Sequence, residues 1–266
     1  MRPFVIFAYM ESLRVTLVQT ELAWEDPEAN RFMLEKKLLP LSGNTDLVVL
    51  PEMFTTGFSM APERLAEDMD GPTLAWMKSM AFQLNAVITG SVIICHRGHC
   101  FNRLFWVRPD QTYAMYDKRH LFTLAGEQHH YSAGKQRLLV THKGWRICPL
   151  ICYDLRFPVW SRNTQAYDLL IYVANWPIPR RNAWQTLLQA RAIENQVYTI
   201  GVNRVGKDEN GMEYAGDSMV VNFGGEILYH VAFGEQCATM ALQPTIQESF
   251  RAKFPFLNDA DDFLIK

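Results

Sequence analysis

The sequence predicts an α/β fold built as one domain. Apolar runs of strand length alternate with helical stretches from end to end. No repeat, low-complexity linker or shift in composition divides the 266 residues. At 48% hydrophobic, a chain of this length can bury a large core.

Residues 1–12 read as an apolar N-terminal extension, loosely ordered, too short for a secretory leader and lacking a small-residue cleavage site. Met10 could equally serve as a start, and the domain is expected to span 13–266 with its first strand from about Leu13. Asp26-Pro27 opens a helix running to about Leu41, with Asp as cap, Pro at the first helical position and Gly43 beyond the end. Leu47 to Leu50 is uniformly apolar, as in a buried parallel strand. Gly71-Pro72 opens a second helix over Thr73 to Leu84. Ala86 to Ile94 and Phe101 to Val107 read as strands around a tight turn at Arg97-Gly98.

Thr112 to Tyr116 alternates as a strand does, and Trp145 to Ile151 is a short buried one. Asp154 is expected to cap a short helix over Phe157 to Gln165. Then follow a strand over Asp168 to Ala174, an amphipathic helix over Arg181 to Gln196 and a strand over Tyr198 to Asn203. Ser218 to Asn222 and Glu226 to Val231 form a hairpin around Phe223-Gly224-Gly225. Thr245 to Lys266 holds a short helix and a mixed aromatic and acidic tail.

Charge excludes several classes of partner. With 26 Lys and Arg against 28 Asp and Glu, interspersed, there is no basic stripe for nucleic acid. No apolar stretch approaches the roughly 20 residues that span a bilayer, so no membrane partner is expected. Five cysteines, an odd number, lack the spacing of a disulfide framework, and a reducing cytoplasm is the expected setting. Cys95-His96-Arg97-Gly98-His99-Cys100 reads as a turn rather than a metal site, and Cys148 and Cys237 as core. His129-His130 is a polar loop or lies at a pocket mouth. Without a Gly-rich nucleotide fingerprint, an HExxH or a CxxC, no cofactor and no metal are expected. Asp217-Ser218 lacks the Gly-x-Ser-x-Gly elbow and reads as a turn.

Three apolar runs end in groups that a core would not choose. Glu52 follows Leu47 to Pro51, Lys118 follows the alternating run to Asp117, and Cys152 follows Trp145 to Ile151. In open α/β sheets, ligands bind beyond the C-terminal strand ends. A sulfur where a strand gives way to a helix feels oriented N–H groups that favour thiolate. The bland alternative makes Cys152 one more small core residue.

Taken together, Leu50-Pro51-Glu52-Met53-Phe54, Tyr116-Asp117-Lys118-Arg119-His120-Leu121 and Leu150-Ile151-Cys152-Tyr153-Asp154-Leu155-Arg156 resemble the nitrilase superfamily of carbon-nitrogen hydrolases. Asn175-Trp176-Pro177, Ala190 to Asn195 and Gly216-Asp217-Ser218 extend the likeness over roughly Leu13 to Tyr229. The motif wording looks most like the omega-amidase branch, which hydrolyses the terminal amide of short 2-oxo dicarboxylic acid monoamides. The resemblance implies an αββα sandwich of two mixed sheets flanked by helices, and a homodimer or larger assembly through the helices. It also implies Glu52, Lys118 and Cys152 as catalytic, with Glu127 in a positioning role rather than as a surface acid.

Amide hydrolysis by this set would run through a thioester on Cys152, with Glu52 carrying protons and Lys118 and the Tyr153 N–H meeting the oxyanion. A distal carboxylate needs a cationic seat, for which Arg156, Arg180 or Arg181 are candidates. Arg156 could instead pair with Asp154 or Glu194. Phe58, Trp176 and Tyr153 are candidate apolar walls. Still open are an amidase for another carboxylate-bearing amide, such as deaminated glutathione or an N-carbamoyl amino acid, and a non-catalytic interaction protein on the same fold.

Overall fold

The computed structural model describes residues 10–265; most of the expected N-terminal extension, residues 1–9, lies outside them. Glu11 and Ser12 lead into the domain, the Glu11 carbonyl accepting from Trp145 Nε1 at 2.7 Å. The first half contains β1 (Leu13–Gln19), α1 (Pro27–Leu38), β2 (Leu47–Val49), α2 (Pro62–Leu65), α3 (Pro72–Leu84), β3 (Val87–His96), β4 (His99–Val107) and β5 (Tyr113–Asp117). The second contains β6 (Val140–His142), β7 (Trp145–Ile151), α4 (Pro158–Ser161), β8 (Leu169–Ala174), α5 (Arg181–Asn195), β9 (Tyr198–Asn203), β10 (Val205–Lys207), β11 (Glu213–Val221), β12 (Ile227–Ala232), β13 (Gln236–Leu242) and α6 (Pro244–Lys253).

These build two mixed sheets. The first has the order β13-β1-β2-β3-β4-β5, with β1, β2 and β3 parallel and the rest antiparallel. The second has the order β10-β11-β9-β8-β7-β6, with β12 also on β11 and β7, β8 and β9 parallel. Their facing side chains form one core, in which Leu13, Val15, Leu47, Leu104 and Trp106 meet Ile147, Leu169, Ile171 and Ile200. On the outer side of the first sheet, Leu34 and Leu38 of α1 and Leu74 and Met77 of α3 cover Val48, Ile88 and Phe105. Trp184, Leu188 and Ala192 of α5 pack on the second sheet. The result is the expected αββα sandwich.

Local chemistry explains the elements. Asp26 accepts from the Ala29 N–H at 3.0 Å and Pro27 takes the first turn of α1. Helix α3 ends where Asn85 turns left-handed at φ 49°. Arg97 (φ 53°) and Gly98 (φ 79°) make the two-residue turn that joins β3 to β4.

That hairpin runs longer than expected and corrects the reading of the cysteines. Cys95 and Cys100 face each other across it with Cα atoms 4.0 Å apart and form a disulfide. Odd cysteine number conceals such a pair, because strand register rather than spacing brings the two sulfurs together. Cys148 is buried in the core and Cys237 half-buried on the edge strand β13. That strand, paired with β1 along its whole length, went unrecognised because its exposed face carries none of the strong alternation expected of a strand. Among the described residues no helix is long and apolar enough to cross a membrane.

Candidate active site

The ends of β2, β5, β7 and β8 converge at one edge of the sandwich. Glu52 sits in the turn after β2, where Met53 adopts φ 42° and its N–H is held by Ser91 Oγ at 2.9 Å. Lys118 follows β5, its N–H bonded to the Asn102 carbonyl and its own carbonyl accepting from Gly134. Cys152 opens a 3-10 turn over Cys152–Arg156 directly after β7. Its backbone is left-handed, φ 43°, a conformation that costs a non-glycine residue stability and turns the side chain out of the strand's direction.

Asp154 fixes that turn to the end of β5. Buried, it accepts from the Ile151 N–H at 3.1 Å, Tyr116 Oη at 2.7 Å, the His120 N–H at 3.0 Å and His120 Nδ1 at 2.8 Å. The expected role for Asp154, capping a helix from Phe157 to Gln165, is therefore wrong. The helix present is only α4, with Pro158 in its first turn and no side-chain cap. Asp154 instead couples the sulfur-bearing turn of one sheet to the lysine-bearing strand of the other.

The structure brings Glu52, Lys118, Glu127 and Cys152 together. Lys118 Nζ donates to Glu52 Oε1 at 2.9 Å and to Glu127 Oε1 and Oε2 at 3.0 and 2.9 Å, with all three side chains fully buried. Two carboxylates raise the Lys118 ammonium above its ordinary range, overcoming the burial that opposes its charge. Burial pushes the Glu127 carboxyl up, Lys118 pulls it back, and Glu52 adds to the rise. The Phe122 N–H also holds Glu127 Oε2, at 2.5 Å.

Glu127 reaches inward because Gly126 turns the loop at φ 76°. Gly126→Ala is expected to cost about 1 kcal/mol or more in thermal unfolding, since a Cβ disfavours that conformation. It should also lower turnover by displacing Glu127, and a variant matching the parent in both would show that the glycine is dispensable.

The surroundings of Cys152 act on its charge in opposite directions. Burial pushes its thiol well above the ordinary range, and the neighbouring Glu52 carboxylate adds to this while Lys118 opposes it. The 3-10 turn is too short to supply the expected helix field, and burial works against the thiolate form.

A cavity of about 410 Å³ opens onto Cys152 and Lys118. Phe58, Tyr153, Arg156, Trp176 and Arg180 all line it. Arg156 lies 5.0 Å over the Trp176 ring and Arg180 4.9 Å over the Phe122 ring, while Phe58 stands 5.0 Å from Lys118 Nζ. Among the described residues neither arginine has a carboxylate partner, so the alternative pairing of Arg156 with Asp154 or Glu194 is not made. Glu194 pairs with Arg191 instead. Arg181 points elsewhere, to Asp217 at 2.8 Å. Asp217 also holds His230, and Ser218 Oγ bonds the Asn203 carbonyl; the two residues lie not in the expected turn but within β11, at an irregularity in its register with β12. His129 and His130 do not line the cavity.

Sequence reasoning missed several groups. Asn102, in mid-strand on β4, donates to Glu52 Oε1 at 2.8 Å. The Asn175 N–H donates to Glu52 Oε2 at 2.8 Å and its Nδ2 to the Glu52 carbonyl at 2.6 Å. Asp208, Asn210, Met212 and Tyr214, on the hairpin joining β10 to β11, complete a wall. A polar residue interrupting the apolar run of β4 was the available signal for Asn102; the hairpin gave none.

Comparison with known proteins agrees with this geometry. The family model for carbon-nitrogen hydrolases matches residues 14–249. The omega-amidase YafV of Escherichia coli (strain K12) is 49% identical, the alignment covering 96% of this chain and 99% of that one. The 2-oxoglutaramate amidase of Bacillus subtilis (strain 168) is 31% identical, over 92% of this chain and 96% of its own length. The crystal structure of XC1258 from Xanthomonas campestris, described as a CN-hydrolase superfamily protein with an arsenic adduct in the active site, superposes with a TM-score of 0.95. It is 47% identical and covers 97% of this chain and 100% of that one.

The chain belongs to the carbon-nitrogen hydrolase family. Within that family it is an amide-cleaving enzyme similar to omega-amidases over nearly its whole length.

Proposed function

We propose that the protein is an omega-amidase that cleaves the terminal amide of a short 2-oxo dicarboxylic acid monoamide, such as 2-oxoglutaramate or 2-oxosuccinamate. The observation that carries this reading is the pairing, in one cavity, of a sulfur beside a carboxylate and an ammonium with two guanidiniums that have no carboxylate partner among the described residues.

In this reading Glu52 takes the Cys152 proton as sulfur attacks the amide carbon, so no free thiolate has to form beforehand in this buried setting. Lys118 and the N–H of Tyr153 stabilise the developing oxyanion. Glu52 returns the proton to nitrogen, the C–N bond breaks, and ammonia leaves a thioester on Cys152. Water, deprotonated by Glu52, then releases the acid. Glu127 fixes Lys118 in place. Arg156 and Arg180, held over aromatic rings, receive the carboxylate remote from the amide.

Arg156→Ala and Arg180→Ala are each expected to lower kcat/KM for 2-oxoglutaramate by about 10- to 100-fold, chiefly through KM. Neither should affect a neutral amide of similar length. Equal losses on both substrates would remove these residues as a carboxylate seat. Ammonia release from a panel of carboxylated amides, including deaminated glutathione and an N-carbamoyl amino acid, tests the substrate class. A better rate with either than with 2-oxoglutaramate would overturn it.

A further inference from the structure

The two oxygens of Glu52 are unequally occupied. Oε1 accepts from Lys118 Nζ at 2.9 Å and from Asn102 Nδ2 at 2.8 Å. Oε2 accepts from the Asn175 N–H at 2.8 Å and, among the described residues, from no other nitrogen or hydroxyl donor, while the Cys152 thiol hydrogen-bonds the same carboxylate. A carboxylate oxygen offers about two lone-pair sites, so Oε1 is filled while Oε2 keeps one free.

We propose that Asn102 is a positioning residue for proton transfer: with Lys118 it fills Oε1 and leaves Oε2 as the oxygen that takes the thiol proton. This rests on the reading of Glu52 as the proton carrier. As the S–C bond forms, the S–H bond breaks and an O–H bond forms at Oε2. As the C–N bond breaks, the same proton passes to the departing nitrogen.

The surroundings of Asn102 support the assignment. Its second Nδ2 hydrogen is directed at Glu127 Oε1, 3.5 Å away, so a flipped amide would set its oxygen against two carboxylates. Its Oδ1 is buried and has no partner among the described residues, a costly arrangement that the two donated bonds offset. It does not line the cavity, so an effect on catalysis must pass through Glu52 or Glu127. Its backbone carbonyl accepts the Lys118 N–H, which ties both occupants of Oε1 to one strand.

The test compares Asn102→Ala, Asn102→Ser and Asn102→Asp with the parent by kcat, KM, the acid limb of kcat/KM against pH, and thermal unfolding. Asn102→Ala should lower kcat about tenfold or more while KM stays within about twofold. A carboxylate that loses a donor holds its proton more tightly, so the acid limb should move to higher pH. Asn102→Asp adds a third carboxylate and should move it further, whereas Asn102→Ser, which still donates, should lie nearest the parent. If Asn102→Ala does not fold, the Ser and Asp variants give the same ordering.

An acid limb that stays in place in every folded variant, with rates that follow only thermal stability, would overturn the proposal. Glu52→Gln separates the two layers. If it is inactive while the limb stays fixed in the Asn102 variants, only the role of Asn102 fails. If it remains active, the proton-carrier reading fails as well.

Discussion

Cys152→Ala is expected to fold like the parent chain and to release ammonia at least about four orders of magnitude more slowly. The loss is large because no other thiol can substitute. Cys148 is fully buried, Cys95 and Cys100 are bonded to each other, and Cys237 lies on the edge strand β13. The fold should survive because alanine keeps the apolar contacts of the small side chain and bears the same left-handed strain at φ 43°. Cys152→Gly provides an internal check. Relieved of that strain, it should be more stable than Cys152→Ala by about 1 kcal/mol, and equally inactive. Appreciable turnover by either variant, assayed as ammonia release, would remove Cys152 as nucleophile.

Lys118→Ala should damage both stability and turnover. Removing the ammonium leaves Glu52 and Glu127 buried side by side without a countercharge. Breaking a buried ion pair from one side costs about 3–5 kcal/mol, or roughly 6–20 °C in melting temperature for a chain of this size. Loss of an oxyanion donor costs a further factor of about 100 to 1,000 in rate.

The defect in stability should depend on pH. Glu127 already sits above its ordinary range with Lys118 pulling it down, so removing that pull raises its folded pKa further above the unfolded value. A group shifted upward contributes stability below its unfolded pKa and loses it as pH rises through the folded one. The melting-temperature gap between Lys118→Ala and the parent should therefore widen from pH 5 to pH 8. A gap independent of pH would mean that the two carboxylates do not depend on Lys118 for their charge.

Much of this arrangement was legible because its signals are local. An acid, a base and a thiol each follow an apolar strand, and strand ends are where a sandwich of this kind exposes backbone and side chains. What escaped notice depends on register and distance. The Cys95–Cys100 disulfide follows from cross-strand pairing, which residue spacing does not reveal. Asp154 lies where a cap belongs, yet its partners Tyr116 and His120 come from the other sheet. Asn102, on β4, and Asn175, just past the end of β8, reach Glu52 from 50 and 123 residues away. The helix inferred beyond the thiol is reduced to a 3-10 turn over Cys152–Arg156 and the four residues of α4, so the local field it was expected to lend is not built.

The most direct test is to stop the reaction of the parent enzyme with 2-oxoglutaramate by acid within a turnover and identify any covalent adduct by mass spectrometry. The expected result is an acyl group equal to the substrate less ammonia, carried on the peptide containing Cys152 and absent from Cys152→Ala. Release of ammonia without that adduct, or an adduct on another residue, would contradict covalent catalysis by this sulfur.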